Sequence, residues 1–258
     1  MENEIAWARL TAAELNARAS AGALVIVPVA SLEQHGPHLA TGVDIVLASA
    51  VAERSARKLM AAGVPAVVTP CVWTGLAEHH VAFGGTVTLE YDAFAAVIGG
   101  VVRSAARAGF QRVMLLNGHG GNSEAIAVLA GELQSALGIV VAAGTYWHLA
   151  GDAFAPILER QESVLHACEA ETSMMLALQP DSVRQEKLGE AHGPFSTRPP
   201  GQPAALARRR SFRAVTASGV LGDARVASAA KGEALLEAAA ERIAAALSAP
   251  GVWSEGSA

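Results

Sequence analysis

Leu24-Val25-Ile26-Val27-Pro28-Val29 is an unbroken apolar run that leads into Leu32-Glu33-Gln34-His35-Gly36-Pro37-His38 and then Asp44. A continuous apolar run predicts a strand covered on both faces, because a half-exposed strand would alternate with polar residues. The loop behind it gathers a carboxylate, an imidazole and a second carboxylate between positions 33 and 44. Mixed nitrogen and oxygen donors of this kind hold divalent metals. A loop at the end of a buried strand is also where α/β folds place their chemistry.

The flanking sequence supplies matching elements. Thr11-Ala12-Ala13-Glu14 fits a capping box and predicts a short helix before the strand. Helical spacing over 44–62 is closed by Gly63. Ala66-Val67-Val68-Thr69 predicts a second strand, 72–88 a loop containing Gly75, Gly84 and Gly85, and about 90–108 a helix stopped by Gly109. Arg112-Val113-Met114-Leu115-Leu116 predicts a third strand. The tight turn Gly118-His119-Gly120-Gly121 then opens a helix to about 137, and Ile139-Val140-Val141-Ala142-Ala143 predicts a fourth strand. Later come a helix over about 166–178, a proline-rich loop over 189–205 and an Ala-rich helix over about 228–247. This alternation predicts an α/β fold with a mainly parallel sheet and helices on both faces, in one domain.

Composition narrows the function. Apolar residues make up 52% of the 258, enough for a large core, and the net charge is −5. Positive charge clusters only at Arg208-Arg209-Arg210, which reads as a solvated loop, so a nucleic-acid binder is not expected. No apolar run is long enough to span a bilayer, and the start carries no secretory signal, so a soluble cytoplasmic protein is expected. Cys71 and Cys168, far apart, read as small buried hydrophobes of a reducing compartment.

Four segments concentrate histidines and carboxylates: Glu33/His35/His38/Asp44, Glu78/His79/His80, His119, and His166/Glu169/Glu171. Two of them follow predicted strands directly. Parallel strands put their C-terminal ends on one edge, so Glu33, His35 and His119 converge across a gap in sequence. The glycines around His119 lack the Lys-Ser/Thr of a Walker loop and the third glycine of a dinucleotide fingerprint. They read instead as a sharp turn that holds His119 at the sheet edge. His-Glu-x-x-His and Gly-x-Ser-x-Gly are both absent, which argues against a zincin protease and a serine hydrolase. His148 and His192 read as structural or exposed. His38 reads as either a residue that orients a ligand or a structural one, and Trp73 and Trp147 read as core or pocket wall.

These motifs together resemble the creatininase family. The resemblance rests on Glu33-Gln34-His35-Gly36-Pro37-His38, Asp44, Glu78-His79 with Gly84-Gly85-Thr86, Asn117-Gly118-His119-Gly120-Gly121-Asn122, and His166-Ala167-Cys168-Glu169-Ala170-Glu171-Thr172-Ser173. Gly219-Val220-Leu221-Gly222-Asp223 with Ala227-Ser228 extends it to the C-terminal part. It implies a single three-layer α/β/α domain over 1–258, with its core at about 22–248, and a homo-oligomer, commonly a hexamer. It also implies a two-metal amidohydrolase using zinc or manganese on C–N bonds other than ordinary peptide links. Glu33 and His119 would bind one ion and His35 the other, with Asp44 bridging. Creatininase itself has a ligating glutamate where this chain has Gly121. Glu171 is the expected replacement, with Glu169 the runner-up.

The implied reaction is attack on a small cyclic or compact amide by a water activated between two ions. His166 is expected to protonate the leaving nitrogen, assisted by Glu169 or Glu171. His79, Gly120, Gly121, Asn122 and Trp147 are expected to contact the small-molecule substrate. Relatives with the Gly-His-Gly-Gly-Asn form include a formamide hydrolase of flavin biosynthesis and a peptidase of the mycofactocin precursor, so both are alternative activities. Hydrolysis of a C–C bond in a keto-sugar and a non-catalytic metal-binding scaffold are two more. Glu33 and His35 alternate along an extended segment and are expected to point to opposite sides, serving different ions.

Overall fold

The computed structural model describes residues 4–203, 206 and 208–254. The first three residues and residues 204 and 205 of the expected loop lie outside the described residues. Four strands, β1 (Leu24–Val29), β2 (Ala66–Val68), β3 (Arg112–Asn117) and β4 (Val140–Thr145), pair in the order β2-β1-β3-β4. All three pairings are parallel, and in the central one Leu24 lies opposite Arg112 and Val29 opposite Asn117.

Among the described residues seven α-helices cover the sheet: α1 (Ala12–Ser20), α2 (Val43–Ala61), α3 (Tyr91–Arg107), α4 (Ser123–Leu137), α5 (Tyr146–Ala150), α6 (Glu169–Leu178) and α7 (Ala229–Ser248). The α1 cap is the expected one: Thr11 Oγ1 accepts from the Glu14 amide, and the Glu14 carboxylate accepts from the Thr11 amide. Gly138 ends α4 at φ +65°, a left-handed conformation that costs glycine nothing.

Side chains along β1 divide between two cores. Leu24 and Ile26 pack with α2, α5, α6 and α7, whereas Val25, Val27 and Val29 pack with α1, α3 and α4. Burial on both faces explains the unbroken apolar run, and the result is a three-layer α/β/α domain. Because β2 lies on one side of β1 and β3 on the other, the chain reverses direction between β1 and β3. Their C-terminal ends flank the crevice where such sheets bind ligands.

The differences from sequence expectation are local. The last helix before the long loop begins at Glu169 rather than near 166, because His166 is drawn into a bridge with Leu221. The 72–88 segment is not plain loop. It holds a short 3-10 helix, Glu78–Phe83, and is tied down by bridges from Val72 to Val29 and from Val87 to Leu32. The half-exposed Trp73 does not pack in the core. Among the described residues no helix is long and apolar enough to cross a membrane.

Candidate metal centre

Four elements deliver five polar side chains to one cluster. Glu33 and His35 follow β1, Asp44 lies in the first turn of α2, His119 follows β3, and Glu171 lies in the first turn of α6. Helix N-termini favour negative charge, which suits both first-turn carboxylates. All five side chains are buried, none more than 3% exposed. His119 Nδ1 lies 3.1 Å from Glu33 Oε2 and 3.2 Å from Asp44 Oδ2. His35 Nε2 lies 3.2 Å from Asp44 Oδ1 and 4.0 Å from Glu171 Oε1.

The far nitrogen of each ring fixes its tautomer. His119 Nε2 lies 3.2 Å from the Leu76 carbonyl, and His35 Nδ1 lies 3.1 Å from the Glu33 carbonyl. A carbonyl only accepts, so each of these nitrogens carries a proton. The other nitrogen then faces the carboxylates, and it offers a lone pair to a cation that displaces its proton. This is how protein frameworks orient metal-binding imidazoles.

Charge balance within the cluster is poor without a cation. Burial draws the pKa of His119 and His35 down, but the carboxylates outweigh it and push them up to about 10 and about 9. Burial raises Glu33, and it raises Glu171 to about 7. Asp44 is opposed by burial and held low by the two imidazoles. Glu33 Oε2, Asp44 Oδ2, Glu171 Oε2 and His35 Nε2 are buried with no hydrogen-bond partner among the described residues. Such atoms are rare in folded proteins, and here they face one another, so this donor set fits divalent cations. Three overlapping triads have ligating atoms within 4.8 Å of one another: Glu33/His35/Asp44, His35/His166/Glu171 and Glu33/His80/His166.

Glu33 and His35 therefore do not diverge as simple alternation predicts. Leu32 and His35 pair with different segments, through Val87 and Leu39, and Gly36 turns at φ +68°, so the chain bends and the two side chains converge. Position 121 is closed to any side chain: a Cβ there would lie 2.2 Å from His119 Nε2 and 2.3 Å from the Leu76 carbonyl. Glu171 reaches toward His35 instead.

Glu169, expected to be catalytic or a substitute ligand, is placed elsewhere. Its carboxylate accepts from the Glu159 and Arg160 amides, and Lys231 Nζ lies 2.7 Å away. Asn122, expected to touch substrate, is fully buried. It accepts from the Leu76 amide and donates to the Ala30 carbonyl, so it braces the turn.

His79, Gly120, Gly121, Trp147, His166 and Glu171 do line a cavity of about 700 Å³ whose floor includes Glu33, Asp44 and His119. His38 donates to or accepts from Thr172 Oγ1 at 2.7 Å, next to Glu171. His148 and His192 are exposed. Burial pushes the Cys71 and Cys168 thiols up to about 12, so neither is poised as a nucleophile.

Sequence reasoning placed His80 in a histidine-rich segment without giving it a role, and passed over Phe212. His80 Nε2 lies 3.4 Å from Glu33 Oε1, and its Nδ1 is 2.9 Å from Gln34 Nε2. The same Gln34 nitrogen donates to the Gly219 carbonyl and lies 3.0 Å from His166 Nε2, so Gln34 sits between the two rings. Phe212 caps them, its ring centroid 4.1 Å from His80 and 4.9 Å from His166. Burial holds His80 and His166 well below the usual imidazole range. The sequence offered His80 only as a neighbour of His79, and Phe212 carried no signal.

The site geometry is matched by similarity over most of the chain. The creatininase family profile, described as creatinine amidohydrolase, covers residues 8–247. Creatinine amidohydrolase of Pseudomonas putida is 33% identical over 265 residues, 95% of this chain and 96% of that protein. The mycofactocin precursor peptide peptidase of Mycolicibacterium smegmatis is 34% identical over 211 residues, 81% of this chain and 78% of that protein. A solved manganese creatininase superposes with a TM-score of 0.77 at 31% identity, covering 95% of this chain and 97% of that one. With the same layers, the same span and a donor set suited to divalent ions, this chain belongs to the creatininase family of metal-dependent amidohydrolases.

Proposed function

We propose that this protein is a dinuclear amidohydrolase that cleaves a C–N bond in a small cyclic amide or a similarly compact amide. One observation carries the reading: two buried imidazoles, each tied at one nitrogen to a main-chain carbonyl, turn the other nitrogen toward three buried carboxylates. Glu33, Asp44 and His119 would hold one cation, and His35, Asp44 and Glu171 the other, zinc or manganese. Bound there, the cations supply a water of lowered pKa and positive charge for a developing oxyanion.

The chain's own residues do the rest. His166 Nε2 sits 2.9 Å from the Gln34 carbonyl, which leaves Nδ1, on the Glu33 side, to relay a proton; burial keeps the ring neutral at rest, so a proton it receives in turnover is given up readily to the leaving nitrogen. His79, Trp147 and the Gly120-Gly121 turn wall the space and position the amide. Phe212 covers the imidazoles and keeps bulk water off them. We take the protein to be one creatininase-like domain working as a cytoplasmic homohexamer.

Glu33→Gln and His119→Ala test the reading. Each should lose metal, measured by mass spectrometry of the purified protein, and turnover together. Turnover by a metal-free variant, or less than about one ion per chain in the parent protein, would sink it.

A peptide substrate is the second reading. It is favoured by the likeness to the peptidase and by a groove of about 930 Å³, lined by Leu76, Val81, Tyr91 and Val128, that adjoins the cavity at His79 and Gly121. Parallel assays of a cyclic amide, a formamide and a short peptide with each metal separate these activities.

A further inference from the structure

The cavity has two ends of opposite character. Its floor is carboxylate and imidazole, while one wall of its mouth is built from Thr197, Arg198, Gln202, Arg208, Arg210 and Phe212. Residues 191–222 contain five arginines and no Asp or Glu, in a chain whose net charge is −5. The Arg208-Arg209-Arg210 triplet, read from sequence as a solvated loop, lines the cavity together with Arg198.

These arginines do different work. Arg209 donates to the Gly121 carbonyl at 2.9 Å and pairs with Glu124 at 3.0 Å, fastening the segment to the His119 turn. Arg210 donates to the Thr197 and Ala214 carbonyls and holds the segment's own shape. Arg213 lies over the Phe83 ring, 4.8 Å from its centroid. Arg198 and Arg208 have guanidinium groups with no partner among the described residues. The carboxylates lining the cavity are out of play for these two: Glu124 pairs with Arg209, and Glu33, Asp44 and Glu171 are buried in the floor beside the imidazoles. Two uncommitted guanidiniums facing a cavity, with no acid left to neutralise them, favour an anion from outside the chain. Their planar forks match a carboxylate in particular.

We propose that the substrate is an amide bearing a carboxylate, which Arg198 and Arg208 hold at the mouth while the amide bond reaches the floor. This rests on the hydrolase reading above and adds the substrate's charge to it. Binding at the mouth also sets register, since one end of the molecule is fixed before the scissile bond arrives. The guanidiniums are solvent-facing, so the attraction weakens with added salt.

The test uses metal-loaded protein and two matched pairs: N-acetylglycine with its methyl ester, and a dipeptide with its C-terminal amide. Binding is read by calorimetry and turnover separately, so a failure of catalysis does not hide the result. The acid should bind at least about tenfold more tightly than its neutral partner, as expected for charge-assisted hydrogen bonds. In Arg198→Ala/Arg208→Ala that preference should vanish, with KM raised, kcat kept, and metal content and melting temperature unchanged. A preference for the free dipeptide alone identifies a peptide terminus, and one for N-acetylglycine a small carboxylated amide. Equal binding of acid and neutral partner overturns the proposal. So does an acid preference that survives in the double variant, since the carboxylate then goes to the metal floor. If binding shows the preference but no probe turns over, the hydrolase reading is what fails.

Discussion

Gly121 shows how one missing side chain shapes this site. Its Cα passes so close to His119 and the Leu76 carbonyl that even a methyl group would overlap them. A ligand cannot simply be restored there. We expect Gly121→Ala to push the His119 ring off its carbonyl and lower metal content several-fold. It should also cost about 1–3 kcal/mol of stability, the usual toll of overpacking. Metal analysis beside a denaturant titration checks both, and full metal retention would contradict the account. The ligand types were readable in the sequence because Glu, His and Asp at strand ends carry chemistry wherever they meet. Which neighbour points inward was not. His79 and His80 are adjacent, and only packing under Phe212 and beside Gln34 makes His80 the one against Glu33. Asn122 looked like a contact residue because it ends a glycine-rich turn, yet its amide is consumed by the backbone of two other segments.

At the scale of elements, the phase of α6 decides between Glu169 and Glu171. Residues two apart on a helix are separated by about 200°, so only one of them can face the ions. Glu171 does, and Glu169 faces α7, where Lys231 meets it. The sequence held this phase relation, but not which face was which. α7 lies close to α6 at this point, because Gly232 has no side chain to strike the Ser173 carbonyl. Glu169 is fully buried, and Lys231, 16% exposed, reaches in to it from α7 and pairs at its outer side with Glu159, which makes the contact structural. Removing one partner of a buried pair leaves a charge uncompensated. Lys231→Met should therefore destabilise by about 3 kcal/mol. Glu169→Gln, which keeps the shape, should melt lower than the parent protein yet retain both its metal and its turnover number. Loss of kcat in Glu169→Gln at full metal loading would put this carboxylate back in the chemistry.

At the scale of the molecule, the run 24–29 carried most of the fold. Burial on both faces forces helices above and below, and parallel pairing brings the ends of β1 and β3 together. Strand order and the cavity wall that Arg198 and Arg208 help to form were not legible, since both depend on contacts between distant segments with no periodic signature. The outer helical layer leaves one further feature to explain. Tyr91 and Val97 on α3 and Val128 on α4 are 42%, 46% and 54% exposed, in a layer where α3 and α4 pack side by side. Large apolar side chains gathered on one layer mark contact surfaces more often than idle ones. A homo-oligomer built on this layer would bury them, and symmetric assembly repeats the gain at every copy. Sedimentation velocity should then show a species several times the mass of one chain. Val97→Glu/Val128→Glu should shift it toward monomer, with the cavity's metal content unchanged because neither residue lines it. A parent protein that stays monomeric across the concentration range would mean that this layer serves something other than self-association.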